Sequence, residues 1–145
     1  MTEENKNREY YIGEIYMMNF GGEGNEQRGW RPGLVFQNNT GNHFSPNIIA
    51  LPLTTSLKKA NQPTHVVVSN GDTGLQKDSM ILCENPERMS KEKIGEYITT
   101  LPDSYMAKVA AASILASSAI SYLDLNTLIT LHKRAMFLNK HKKMA

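Results

Sequence analysis

Arg31 and Thr54 are the residues best suited to chemistry. Arg31 follows a polar, glycine-rich loop at the start of a strand, and Thr54 ends another strand ahead of the hydroxyls of Thr55 and Ser56. A guanidinium holds a phosphate through two hydrogen bonds and keeps its charge at any working pH. A hydroxyl beside it donates to a non-bridging oxygen as negative charge builds there. Together they suit metal-free cleavage of a phosphodiester in which an RNA 2′-hydroxyl supplies the nucleophile. Taken alone, the pair is weak evidence: a strand-entry arginine is usually a salt-bridge or surface residue, and Thr-Thr-Ser is usually a turn.

Little else in the chain points to catalysis. There is no phosphate-binding loop ending in Lys-Ser/Thr and no serine elbow. His43, His65, His132 and His141 are scattered and read as surface or partly buried side chains. Glu84 and Glu87, three apart, make a poor glycosidase pair. The single cysteine, Cys83, lies in an apolar run and packs as a small hydrophobe. One cysteine forms no internal disulfide and no thiol-rich zinc site, so no metal is expected and a reducing cytoplasm is the expected compartment.

The elements that would position Arg31 and Thr54 read first as β. Residues 1–9 form a flexible arm, followed by strands at Tyr10–Phe20, Trp30–Gln37, Asn47–Thr54, Thr64–Ser69 and Ser79–Cys83. The loop Gly21–Gly29 holds four glycines in nine residues, a length typical of binding loops. Asn38–Asn42 and Asn70–Asp72 are turn chemistry, and Leu57–Pro63 is a charged loop. Five short strands with polar connections close most readily into a small, strongly curved barrel, which leaves no exposed edges. Trp30, Phe36 and Phe44 offer stacking faces for bases, although a barrel also needs aromatic core, and core is the expectation for each.

The period then changes. Ser90 reads as the N-cap of a short helix reaching about Thr99. Pro102-Asp103 begins a longer helix, with Met106, Val109, Ala110, Ser113, Ile114 and Ala116-Ser117 at helical spacing. Leu125, Leu128, Ile129, His132, Ala135 and Met136 continue that spacing in a last helix with a basic end.

At 145 residues, 40% hydrophobic and 21% charged, the chain is one globular domain's worth and neither disordered nor collagen-like. Five of the sixteen cations follow residue 132 and no acid follows Asp124, so residues 1–132 carry eleven cations against fourteen acids. Bulk charge therefore does not argue for nucleic-acid binding by the main body, and any RNA site must be a local groove. The N-terminus lacks the apolar core of an export signal. Met106–Leu123 contains Lys108 and four serines, and it reads as a buried helix of a water-soluble protein.

Several short segments, in order and at matching spacing, resemble the MazF/PemK/Kid family of toxin endoribonucleases. They are Gly13-Glu14-Ile15-Tyr16, Glu26-Gln27-Arg28-Gly29-Trp30-Arg31-Pro32, Gln37 to Asn42, Ser45-Pro46, Leu53-Thr54, Lys59-Ala60, Pro63-Thr64-His65-Val66, Gly74-Leu75, Lys77-Asp78-Ser79 and Ile81-Leu82. The likeness runs from about Ile12 to Leu123. It implies a mainly β (α+β) fold, a small SH3-like barrel of the CcdB/PemK type with C-terminal helices. A toxin domain would span residues 10–123, with residues 124–145 as a helical extension with a basic end. It also implies a homodimer, silenced by a cognate antitoxin, that cleaves single-stranded RNA without metal or other cofactor to leave a 2′,3′-cyclic phosphate and a 5′-hydroxyl.

Carried over by position, Arg31 is the catalytic arginine, acting by proton transfer or charge stabilisation, and Thr54 stabilises the same phosphate. Glu26 and Gln27 would lie near RNA, while Ser56, Pro63, Thr64, Glu84 and Asn85 fall where family members contact bases. The chain departs from the family where Glu84-Asn85-Pro86-Glu87-Arg88 replaces a common Glu-Gln-Ile-Arg, which implies a different target sequence. It departs again in the tail after Leu125, either a packed helix with a solvated basic end or an added element for RNA or a partner. Two other functions fit the same barrel: a toxin acting by protein contact, as gyrase poisons do, and a catalytically silent regulator.

Overall fold

The computed structural model describes residues 7–21 and 29–139. Its strands are β1 (Glu14–Asn19), β2 (Trp30–Val35), β3 (Asn47–Thr54), β4 (His65–Val68), β5 (Ser79–Leu82), β6 (Glu87–Ser90) and β7 (Ile94–Thr100). They form an antiparallel sheet in the order β4-β5-β3-β2-β1-β7, with β6 also on β3. β3 is the pivot. One of its edges pairs with β2, while the other is shared, Asn47–Ala50 with β6 and Leu53–Thr54 with β5. A strand that changes partners partway along is how a curved sheet turns its corner.

β3 has the expected bounds, and the expected strands around β1, β2, β4 and β5 are present in shortened form. β1 begins only after Gly13, whose φ of +95° turns the chain. The short helix expected after Ser90 is corrected. Ser90 does cap, accepting the Glu92 amide at 3.3 Å, but only a 3₁₀ turn at Lys91–Lys93 follows. The chain then becomes β7 and pairs with β1 through Tyr16↔Tyr97 and Ile15↔Thr99. Ile98, Thr99 and Thr100 are β-branched, and the long-range ladder decides between the two local options.

The expected Asn-rich turn is instead a helix, α1 (Asn39–Phe44). The Asn38 side chain accepts the Gly41 amide at 2.9 Å. Buried Asn42 donates to the Gln37 carbonyl at 2.8 Å and the Asn39 side-chain oxygen at 3.2 Å, and that oxygen also accepts the Ile12 amide at 2.7 Å. Residues 70–72 likewise fall in a single helical turn, α2 (Asn70–Thr73), capped by Ser69 and closed by left-handed Gly74.

Side-chain alternation splits the core between the two faces of the sheet. Ile15, Leu34, Leu51 and Leu53 point to one cluster, which Val66, Val68, Ile81, Cys83, Val109 and Ala112 complete. Tyr16, Met18, Val35, Ile48 and Ala50 point to the other, with Tyr10, Met89 and Ile94.

α3 (Asp103–Ser117) covers the first cluster but buries only Val109 and Ala112. It is therefore a one-sided surface helix, not the buried helix expected to Leu123, and it ends where Ser118 takes a φ of 56°. A 3₁₀ turn (Ala119–Tyr122) leads to α4 (Leu125–Leu138), whose start is capped by Asp124 accepting the Thr127 amide at 2.7 Å. α4 buries no residue. Its far end is held on α1, where the Asn139 side chain accepts the Asn39 amide at 2.9 Å and the Thr40 hydroxyl donates to the Leu138 carbonyl. Among the described residues, no helix is long and apolar enough to cross a membrane.

Candidate active site

Arg31 is the second residue of β2 and Thr54 the last of β3. The β2–β3 register pairs Val35 with Ala50, Leu34 with Leu51 and Gly33 with Pro52. Two residues further along, the same count brings Arg31 opposite Thr54. Pro32 lies between Arg31 and Gly33, and its missing N–H suits the point where β2–β3 pairing stops. Both residues are half-buried and line one cleft of about 230 Å³ with Met17, Trp30, Leu53, Thr55 and Ser79. On its other side β2 pairs with β1, Arg31 facing Met18.

Two contacts fix the polar geometry. The Ser56 amide donates to the Thr54 hydroxyl oxygen at 3.1 Å, a local turn that leaves the threonine's own proton available to a ligand. The Ser79 hydroxyl donates to the Lys77 carbonyl at 3.0 Å. Ser79 was not singled out as a site residue from sequence, because its place at the cleft depends on β5 pairing with the end of β3. Gly33 also matters here: a Cβ at that position would lie 2.5 Å from the Met18 sulfur and 2.9 Å from the Phe20 ring. The strand carrying Arg31 thus rests directly on core side chains.

The residues expected to read bases form a second group. Pro63 and Thr64 precede β4, and Glu84 and Asn85 follow β5. The Thr64 carbonyl accepts the Cys83 amide at 3.0 Å, which brings these segments side by side. His65 bridges them: its Nε2 meets a Glu84 carboxylate oxygen at 2.6 Å and its Nδ1 meets the Lys59 carbonyl at 2.7 Å. Ser56 adjoins Thr54, at the other end of the loop that His65 closes. Glu26 and Gln27 lie outside the described residues. The departure at Pro86 falls in the link between β5 and β6, with Glu87 and Arg88 exposed at the start of β6.

Two aromatic expectations are corrected. Phe36 packs against the core, but Trp30 is 57% exposed and Phe44 71% exposed. Trp30 opens β2, ahead of the strand's buried half. Phe44 ends a short helix whose buried residues are Asn39 and Asn42, so this helix packs through carboxamides and not through its aromatic ring. Among the described residues, no three His, Cys, Asp or Glu side chains gather to hold a metal ion.

The pattern of PemK-like, MazF-like toxins of type II toxin–antitoxin systems matches residues 11–116. The chain belongs to this family. It is 39% identical over 99 residues to endoribonuclease EndoA of Bacillus subtilis (strain 168), covering 68% of this chain and 85% of the relative. It is 38% identical over 98 residues to endoribonuclease MazF of Staphylococcus epidermidis, covering 67% and 82%. Its fold is also that of an endoribonuclease from mycobacterial species solved in complex with its cognate antitoxin, with a TM-score of 0.65 at 24% identity over 76% of this chain and 96% of that one. The mainly β fold expected of a MazF-like toxin is thus the one observed. The Arg31–Thr54 cleft of this toxin lies within the matched region, whereas α4 lies beyond it.

Proposed function

We propose that this MazF-like toxin is a metal-independent, sequence-specific endoribonuclease that cuts single-stranded RNA, messenger RNA included, at the Arg31–Thr54 cleft. The observation that carries this reading is the convergence of a permanent cation and an oriented hydroxyl on one small cleft at matching cross-strand positions. The scissile phosphate sits against both. The RNA 2′-oxygen bonds to phosphorus as its proton passes to water, and the bond to the 5′-oxygen breaks as that oxygen takes up a proton. The products are a 2′,3′-cyclic phosphate and a 5′-hydroxyl. Negative charge on the non-bridging oxygens peaks along this path. The Arg31 guanidinium balances it, and Thr54 donates to it while its own oxygen is held by the Ser56 amide. A guanidinium keeps its protons at working pH, so charge stabilisation is the role assigned to Arg31 in preference to proton transfer.

Base reading falls to Ser56, Pro63, Thr64, Glu84 and Asn85, and the family resemblance assigns Glu26 and Gln27 to RNA contact as well. The toxin works as a homodimer in the cytoplasm, where its RNA is, and a cognate antitoxin silences it. The net-acidic body is no obstacle, because a few cations and stacking faces suffice to hold a single strand. The alternatives of a barrel acting purely by protein contact and of a silent regulator are not favoured: the relatives matched over two-thirds of this chain are endoribonucleases.

The test is cleavage of a long RNA in EDTA by wild type and Arg31→Ala. Discrete cuts at a short recurring sequence, bearing 5′-hydroxyl ends and absent in the variant, are expected. A folded, antitoxin-free toxin that cuts none of several diverse RNAs overturns the reading.

A further inference from the structure

Trp30 is the only tryptophan in the chain, and it sits where an indole costs the fold burial. It is 57% exposed, yet it is no stray surface residue. It precedes Arg31 directly and lines the same cleft as Arg31, Thr54, Thr55 and Ser79. Its ring is also seated. Cζ3 lies 3.1 Å from the point a Cβ on Gly95 would occupy, so a bare backbone in β7 provides the ledge beneath it. β1 lies between, with Asn19 paired to Trp30 and Met18 to Ile94. The ring is thus supported by a strand two places away in the sheet, while the residue as a whole stays more than half exposed.

We propose that Trp30 is the stacking platform for a base of the RNA next to the phosphate held by Arg31. The inference rests on the ribonuclease reading and adds to it a positioning residue for the substrate. A flat, apolar, supported surface beside a fixed cation is the arrangement that binds single strands: the cation takes the phosphate and the ring takes the π-face of a base. Stacking tolerates any base, so Trp30 contributes hold and alignment, while the hydroxyl and carboxamide groups around Thr64 and Asn85 supply the discrimination.

Because Trp30 is unique, its fluorescence reports on the site without a label. Full-length wild-type toxin is titrated with a mixed-sequence, 2′-O-methyl RNA 20-mer, which cannot be cleaved because its 2′-oxygens are blocked. A matched 20-mer of abasic phosphodiester carries the same charge without bases. Saturable quenching by the first, and none by the second, is expected. In parallel, cleavage of unmodified RNA is measured for Trp30→Ala and Trp30→Phe. The alanine variant should raise KM by roughly tenfold or more with kcat within about threefold, and phenylalanine should recover much of the loss.

Equal quenching by both oligomers, no quenching by either, or an unchanged KM in Trp30→Ala overturns the proposal. Failure of the ribonuclease reading looks different: wild type then cuts no RNA, whatever the fluorescence shows.

Discussion

The amide of Ser56 donates to the hydroxyl oxygen of Thr54 over 3.1 Å, and so the hydroxyl at the end of β3 is both anchored and free to donate. That contact belongs to the loop between β3 and β4. Its other end is tied down by His65, so Thr54 and the loop proposed to read bases are parts of one structure.

Thr54→Val keeps the shape of the side chain and removes the hydroxyl. It should slow RNA cleavage by about 10²-fold, the usual cost of losing one oriented donor. Thr54→Ser restores both the acceptor for the Ser56 amide and the outward donor, and should recover most of the rate. Single-turnover cleavage assays of the two variants distinguish this role from packing, since a packing role would favour valine.

His65 presents a ring nitrogen to each of two acceptors, the Lys59 carbonyl and the Glu84 carboxylate. The ring thereby ties the loop before β4 to the exit of β5. His65→Ala should cost about 1–3 kcal/mol in urea unfolding, with faster hydrogen exchange at the Ala60 and Gln62 amides, which close turns within the loop.

Gly33→Ala tests the floor beneath Arg31. The added methyl would overlap the Met18 sulfur, and Met18 is fully buried, so it has little room to move. A loss of about 1–3 kcal/mol is expected from overpacking, read as a lower urea midpoint at unchanged slope.

Cys83 is shielded, and its thiol is pushed up to about 11. Burial is the main cause. The neighbouring Ser113 hydroxyl works the other way, and the nearby Glu84 charge adds to the rise. A thiol held neutral in the folded state contributes stability below its ordinary pKa, and that contribution fades as pH rises toward about 11. Native protein at pH 8 should react with a thiol reagent far more slowly than urea-unfolded protein, with the folded rate climbing only at strongly alkaline pH.

Much of the candidate cleft was legible beforehand because it lies within strands whose apolar alternation and turn flanks are local properties. β3 ends at Thr54 as expected because the apolar residues Ile48, Ile49, Leu51 and Leu53 give way there to the hydroxyls of Thr54, Thr55 and Ser56. The Asn38–Asn42 segment read as a turn because asparagine and glycine suit turns. Beside the local Asn38 cap, a buried carboxamide network from Ile12 through Asn39 and Asn42 to Gln37 holds it as a helix, and the Ile12–Asn39 bond in that network joins residues 27 apart in sequence.

By itself the sequence determined the family, the order of the early strands and the two residues placed at the cleft, since type, spacing and local period are written into the chain. Tertiary structure alone decided that Ile94–Thr100 is a strand, that Ser79 joins Thr54 and that the indole of Trp30 lies on Gly95 in the open. Each of these depends on pairing between segments far apart in the chain. The energy of such pairing comes from partners that no local window contains.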